Sequence, residues 1–145
     1  MKIPQYRVSL VRERTVAYRK VEESRSAAAV LHALLDDAPT EKLVVLYLNG
    51  QNGLMGVEVV AIGGMHACPT VPKDVFRGAI VAGAAGIILG HNHPSGDPTP
   101  SKEDVEVTKM LGEAGKLLGI AVVDHVIVSA NGTDKSLLDL GLLSS

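Results

Sequence analysis

Tryptophan is absent, phenylalanine occurs once and tyrosine three times. A core with so few rings must be built from Val, Leu, Ile and Ala. Cys68 is the single cysteine, so no internal disulfide can form, and a reducing cytoplasm is the natural setting. Long apolar runs are missing. The uncharged stretch Gly78–Gly90, near the middle of the chain, is too short to span a bilayer, so no membrane role is expected. Met1–Arg7 has neither an apolar core nor a cleavage site, which speaks against a signal peptide there. An excess of one charge is missing as well: the formal net charge is −2, which argues against general electrostatic affinity for nucleic acid.

What is present is enough for one domain. A chain of 145 residues can bury a core without staples. Its charge is unevenly placed: Lys2, Arg7, Arg12, Arg14, Arg19, Lys20 and Arg25 are half of the 14 basic residues. They suit a solvated edge strand leading into a helix, or a docking surface for an acidic partner or nucleic acid. No internal repeat, low-complexity tract or interdomain linker interrupts the chain.

Local patterns predict an alternation of strands and helices. Tyr6–Val11 reads as a strand. Ser24 or Ser26 caps a helix with Ala27, Val30, Leu31, Leu34 and Leu35 at helical spacing, ended by Asp36–Pro39. Leu43–Leu48 is a strand buried on both faces. The turn Asn49–Gly53 joins it to a hairpin partner at Leu54–Ile62. Pro72 opens a second helix, with Asp74 favourable against its dipole. A strand ends at His93, a helix runs from Ser101 to about Leu118, a strand covers Ile120–Val128, and Lys135–Leu142 suits a last short helix. The class is α/β, a mixed sheet flanked by helices.

Chemistry concentrates at the end of the apolar run Gly86–Gly90. His91 and His93 share one face of the predicted strand, roughly 6.5 Å apart along it. Two imidazoles so placed can converge on one metal ion, whereas a lone histidine at a strand end is usually a packing residue. The Pro/Gly loop 94–100 follows, and an acidic helix start offers a third ligand among Asp97, Glu103 and Asp104. Two histidines and one carboxylate leave a coordination position open, as catalytic rather than structural sites do. Ser101 and Asp104 also suit a capping box. Glu58, flanked by Val57 and Val59, either faces outward or is buried for a purpose; facing a metal, it would be the general base for a bound water.

His91-x-His93, seven residues, Ser101, two residues, Asp104, with Glu58 upstream, resembles the JAMM (MPN-plus) metalloprotease motif. The stretch Ile88–Ser101 and the segment Ile120–Val128, with its Asp124-His125 pair, look like the bacterial RadC branch. The resemblance covers about residues 43–130, a catalytic core within a single domain spanning 1–145, and it implies the MPN/JAB, cytidine-deaminase-like architecture. It further implies zinc held by His91, His93 and Asp104 with water as fourth ligand, Glu58 as acid/base and Ser101 as oxyanion donor. The implied reaction is hydrolysis of a peptide or isopeptide amide in a protein or peptide substrate.

Other readings stand beside it. Full-length RadC proteins usually begin with a helix-hairpin-helix-type region, and only a basic strand and helix are read here. Val71 stands where the family often has His before Pro72. A DNA-repair-associated or DNA-binding protein without peptidase activity is the principal alternative, resting on the basic N-terminal segment. A non-haem iron oxygenase uses the same ligand types, and a non-catalytic binding module can share the fold. His66-x-Cys68 has ligand-like spacing but no third partner, so a surface histidine and a semi-buried thiol are expected. Asp124 and His125 are adjacent on a strand and face opposite sides; one of them packs or supports a metal ligand. His32 is expected to be structural.

Overall fold

The computed structural model describes residues 1–13, 24–35, 38–62 and 70–143. The elements run α1 (Ser24–Leu35), β1 (Lys42–Leu48), β2 (Leu54–Ile62), α2 (Pro72–Ala82), β3 (Gly86–His93), α3 (Lys102–Leu118), β4 (Ala121–Ser129) and β5 (Asp134–Ser136). The strands form one mixed sheet in the order β2-β1-β3-β4-β5. Among the described residues only β3 and β4 are parallel, and α3 carries the chain between them. All other neighbours are antiparallel.

β1 explains why both sheet faces are covered. Its even residues Val44, Leu46 and Leu48 pack with Ala27, Leu31 and Leu35 of α1. Its odd residues Leu43, Val45 and Tyr47 pack with Val75 and Phe76 of α2 and Leu111 of α3. A strand with period-2 side chains and no polar residue beyond Lys42 has no face to show water. Burying one Leu of this kind stabilises by roughly 1.5–3 kcal/mol. At Gly90 the backbone meets Leu31 so closely that a Cβ would overlap the leucine methyls.

Helix boundaries follow the punctuation of the chain. Pro72 occupies the first turn of α2, and Gly83, at φ 70°, closes it in the left-handed conformation. Ser101 caps α3, and Gly119, at φ 73°, ends it. In the β1–β2 turn Asn49 Oδ1 accepts from the Gly53 N–H at 2.8 Å, and Asn52 takes φ 60°.

Two expectations are corrected. Tyr6–Val11 is not a strand: residues 1–13 carry no helix or strand and are exposed. Loose alternation alone did not supply a pairing partner. Lys135–Leu142 is not a helix. Asp134–Ser136 pairs with β4, with Val126 opposite Ser136. The turns beyond are held by buried Asp124, which accepts from Ser136 Oγ and from the Leu138 N–H. Eight residues carry too little periodicity to outweigh an open sheet edge and a buried acceptor. Among the described residues no helix is long and apolar enough to cross a membrane.

Candidate metal centre

The β3–α3–β4 unit brings a strand end, a helix start and the C-terminal half of β4 together, the usual position of sites in such units. Odd residues of β3 face α2 and α3, so His91 and His93 emerge on that side. Their Nε2 atoms are 2.9 Å apart. His91 is 2 % exposed and the His93 side chain 14 %.

Asp104, in the first turn of α3, is 1 % exposed. It completes a capping box: Ser101 N–H donates to Asp104 Oδ2 at 2.8 Å, and Asp104 N–H donates to Ser101 Oγ at 3.0 Å. The same carboxylate reaches the imidazoles, with Oδ1 3.5 Å from His91 Nε2 and Oδ2 3.4 Å from His93 Nε2. Capping and approach to the histidines are therefore simultaneous rather than competing. Asp97 and Glu103 are exposed; the Asp97 carboxylate accepts from Thr99 N–H instead.

A second carboxylate stands at the pair. Glu41 Oε1 is 4.0 Å from His93 Nε2. Glu41, His91 and His93 offer ligand atoms that all lie within 4.8 Å of one another, a group able to hold a metal ion. Register explains it. Leu43 lies opposite His91 in the β1–β3 ladder, so Glu41, two residues before it, falls level with His93 on the same face. Asn92 clamps the position from the other face. Its Oδ1 accepts from Lys42 N–H at 2.8 Å and its Nδ2 donates to the Thr40 carbonyl at 3.1 Å. Sequence reasoning missed Glu41, although it continues the odd-numbered series of Leu43, Val45 and Tyr47.

Glu58 is the other carboxylate expected at this centre. It lies opposite Val45 and so shares the sheet face of the histidines. Its carboxylate, however, turns toward α2, where a Cβ at Gly78 would lie 2.9 Å from Glu58 Oε1. That oxygen is buried with no hydrogen-bond partner among the described residues. Burial, and then the Glu58 charge, hold the neighbouring Tyr47 phenol well above its usual range. The carboxylates that act on His93 are those of Asp104 and Glu41.

The surrounding bonds orient both rings. His93 Nδ1 donates to the Asp97 carbonyl at 2.9 Å. That carbonyl turns back because Gly96 takes φ 90°, a conformation that favours glycine. Asn131 Nδ2 donates to the Gly96 carbonyl at 3.0 Å and ties the loop to the β4–β5 turn. Behind His91, its Nδ1 lies 2.7 Å from His125 Nε2, and His125 Nδ1 lies 2.6 Å from Thr108 Oγ1. Asp124 faces away, so the adjacent pair does split between the two sheet faces.

Charge follows this wiring. Burial alone would raise the Asp104 carboxyl, but the hydrogen bond to His93, the electrostatic attraction of His91 and the Ser101 bonds overcome it and hold it well below the usual range. Its hydrogen bond to Asp104 raises His93. Burial pushes His125 down to about 4, so it is neutral at physiological pH. His32 pairs with Asp134 at 3.1 Å, away from the centre. His66 and Cys68 lie outside the described residues, as do Arg14, Arg19 and Lys20. Lys2, Arg7 and Arg12 are exposed.

Fold and site together define a mixed α/β domain carrying a histidine–carboxylate centre at the end of β3. The chain belongs to the RadC-like JAB domain family, whose model matches residues 21–142. Its relatives include UPF0758 proteins. The one from Methanosarcina mazei is 40 % identical over 125 residues, covering 86 % of this chain and 54 % of the relative. Those from Caldanaerobacter subterraneus and Carboxydothermus hydrogenoformans are each 50 % identical, over 101 and 91 residues. These cover 70 % and 63 % of this chain and 43 % and 40 % of the relatives. The chain spans about half the length of the curated relatives it matches.

Proposed function

We propose that the chain is a zinc-dependent hydrolase of a peptide or isopeptide bond, with His91, His93 and Asp104 as ligands. The observation that carries this reading is the convergence of the two Nε2 atoms on one buried carboxylate. Donors bound at about 2 Å in a tetrahedral array stand about 3.3 Å apart. The two Nε2 atoms stand 2.9 Å apart, and the two Asp104 oxygens lie at similar range, Oδ1 3.5 Å from His91 and Oδ2 3.4 Å from His93. His93 Nδ1 already donates to a carbonyl, which leaves the Nε2 lone pair for a cation. Two nitrogens and a carboxylate oxygen suit zinc, with a position open for substrate or water.

A divalent ion held by these residues would supply the chemistry that lowers the pKa of a water and polarises the substrate carbonyl. Between the two carboxylates Glu41 and Glu58, we assign the water proton to Glu41, which stands 4.0 Å from His93 Nε2. The C–O bond forms as that proton moves to the carboxylate, and the C–N bond breaks as Glu41 returns it to the leaving amine. Ser101 Oγ accepts from the Asp104 N–H, so its hydroxyl hydrogen is left to donate to the developing oxyanion. The substrate is a protein or peptide.

The test is zinc content after purification without added metal, followed by peptide, isopeptide and DNA substrates in parallel. The expected result is stoichiometric zinc and amide hydrolysis. Glu41→Gln should keep the metal and lose about 10²–10⁴ in turnover, whereas Glu58→Gln keeps both. Iron in place of zinc, full turnover in Glu41→Gln, or salt-dependent DNA binding with no hydrolysis would refute it.

A further inference from the structure

A histidine can ligate a cation only through a nitrogen that carries no proton. For His91 that choice is made by residues on two other elements. Thr108, in the second turn of α3, and His125, on β4, are both 0 % exposed. Thr108 Oγ1 is 2.6 Å from the Asp104 carbonyl oxygen and 2.6 Å from His125 Nδ1. A carbonyl oxygen can only accept, so the single hydroxyl hydrogen of Thr108 is committed to it. The Thr108 oxygen must then accept from His125 Nδ1–H. A neutral imidazole that donates at Nδ1 presents its lone pair at Nε2. His91 Nδ1, 2.7 Å away, must donate to it. The His91 lone pair is thereby left on Nε2, the atom that faces His93 and Asp104.

We propose that Thr108 and His125 are positioning residues that set the proton of His91 on Nδ1 and deliver its Nε2 bare to the cation, a role that rests on the metal-site reading above. The circuit closes on itself. Asp104 anchors it through its backbone carbonyl, and its carboxylate meets His91 at the other end. A helix start and two parallel strands are thus locked to one another by the same hydrogen bonds that choose the tautomer.

Two measurements test it. The first is zinc affinity by competition with a chromophoric chelator, without substrate, for wild type, Thr108→Val, Thr108→Ser and His91→Ala. Thr108→Val keeps the shape and removes the hydroxyl; it should weaken zinc about 10- to 100-fold, while Thr108→Ser stays within about threefold. Wild-type affinity in Thr108→Val overturns the relay. Wild-type affinity in His91→Ala instead overturns the metal-site reading. The second is the imidazole tautomer by ¹⁵N NMR on metal-free wild type, which needs no variant to fold. Both His91 and His125 should be Nδ1–H; an Nε2–H signal for either overturns the proposal.

Discussion

Replacing each of the two glycines of α3 by alanine measures how closely the helix is pressed onto β4. Gly112 and Gly115 lie three residues apart in the interior of one helix, so intrinsic propensity favours alanine at both, by about 1 kcal/mol. Their surroundings differ. A Cβ at Gly112 meets nothing within 4 Å. A Cβ at Gly115 would overlap the backbone carbonyl oxygen of Ile120 and stand 3.3 Å from Phe76 Cζ. That carbonyl cannot swing away, because the turn is tied by the Ile120 N–H donating to the Gly115 carbonyl at 2.8 Å and by the left-handed Gly119. Overpacking against a fixed backbone costs about 1–3 kcal/mol, which outweighs the propensity gain. Gly112→Ala should therefore be stabilised by about 1 kcal/mol, and Gly115→Ala destabilised by about 1–2 kcal/mol. In a domain of this size the melting temperatures should move by a few degrees in opposite directions, roughly 2–4 °C per kcal/mol. Thermal melts followed by circular dichroism in chelator would read this, and zinc titration of Gly115→Ala would show whether a displaced α3 carries Asp104 and Thr108 off the centre. A Gly115→Ala variant as stable as Gly112→Ala would refute the reasoning.

Acid stability follows from His125. Its folded value of about 4 lies below the unfolded value near 6.5, so the unfolded chain binds more protons as pH falls between them. Stability without metal should drop by up to about 3 kcal/mol across that window, by urea titration at stepped pH. His93, raised by Asp104, adds no slope there, since its contribution is complete below its unfolded value. Asp124, raised by burial, opposes the loss near the carboxylate range, so the upper part of the window is the cleaner test. Equal stability at pH 7 and pH 5 would contradict this account. Zinc at 100-fold over its dissociation constant should add about 2.7 kcal/mol of stability. His93→Ala should lose that increment in the same melt, and a retained one would remove His93 from the site.

How much was legible in the chain can be followed residue by residue. The hairpin at 49–53, the Pro72 start, the cap at Ser101 and the doubly buried β1 are local signals, and each has a local cause. The His91/His93 pair was visible because a strand's two-residue period is a property of the backbone itself. The third carboxylate was not: Asp97, Glu103 and Asp104 are equivalent in spacing, and only the direction in which α3 leaves the loop turns Asp104 inward.

Composition and period thus determined the class of fold, the strand and helix order of the core, and the face on which the histidines emerge, because these depend on neighbours within a few residues. Tertiary structure decided the rest. Glu41 stands 50 and 52 residues before His91 and His93 and meets them only through the antiparallel register of β1 on β3. Glu58 shares the histidine face only through the register of β2 on β1. Thr108 and His125 become a relay only when α3 lies over β4. Register and helix placement are set by the whole core at once, and no window of sequence contains them.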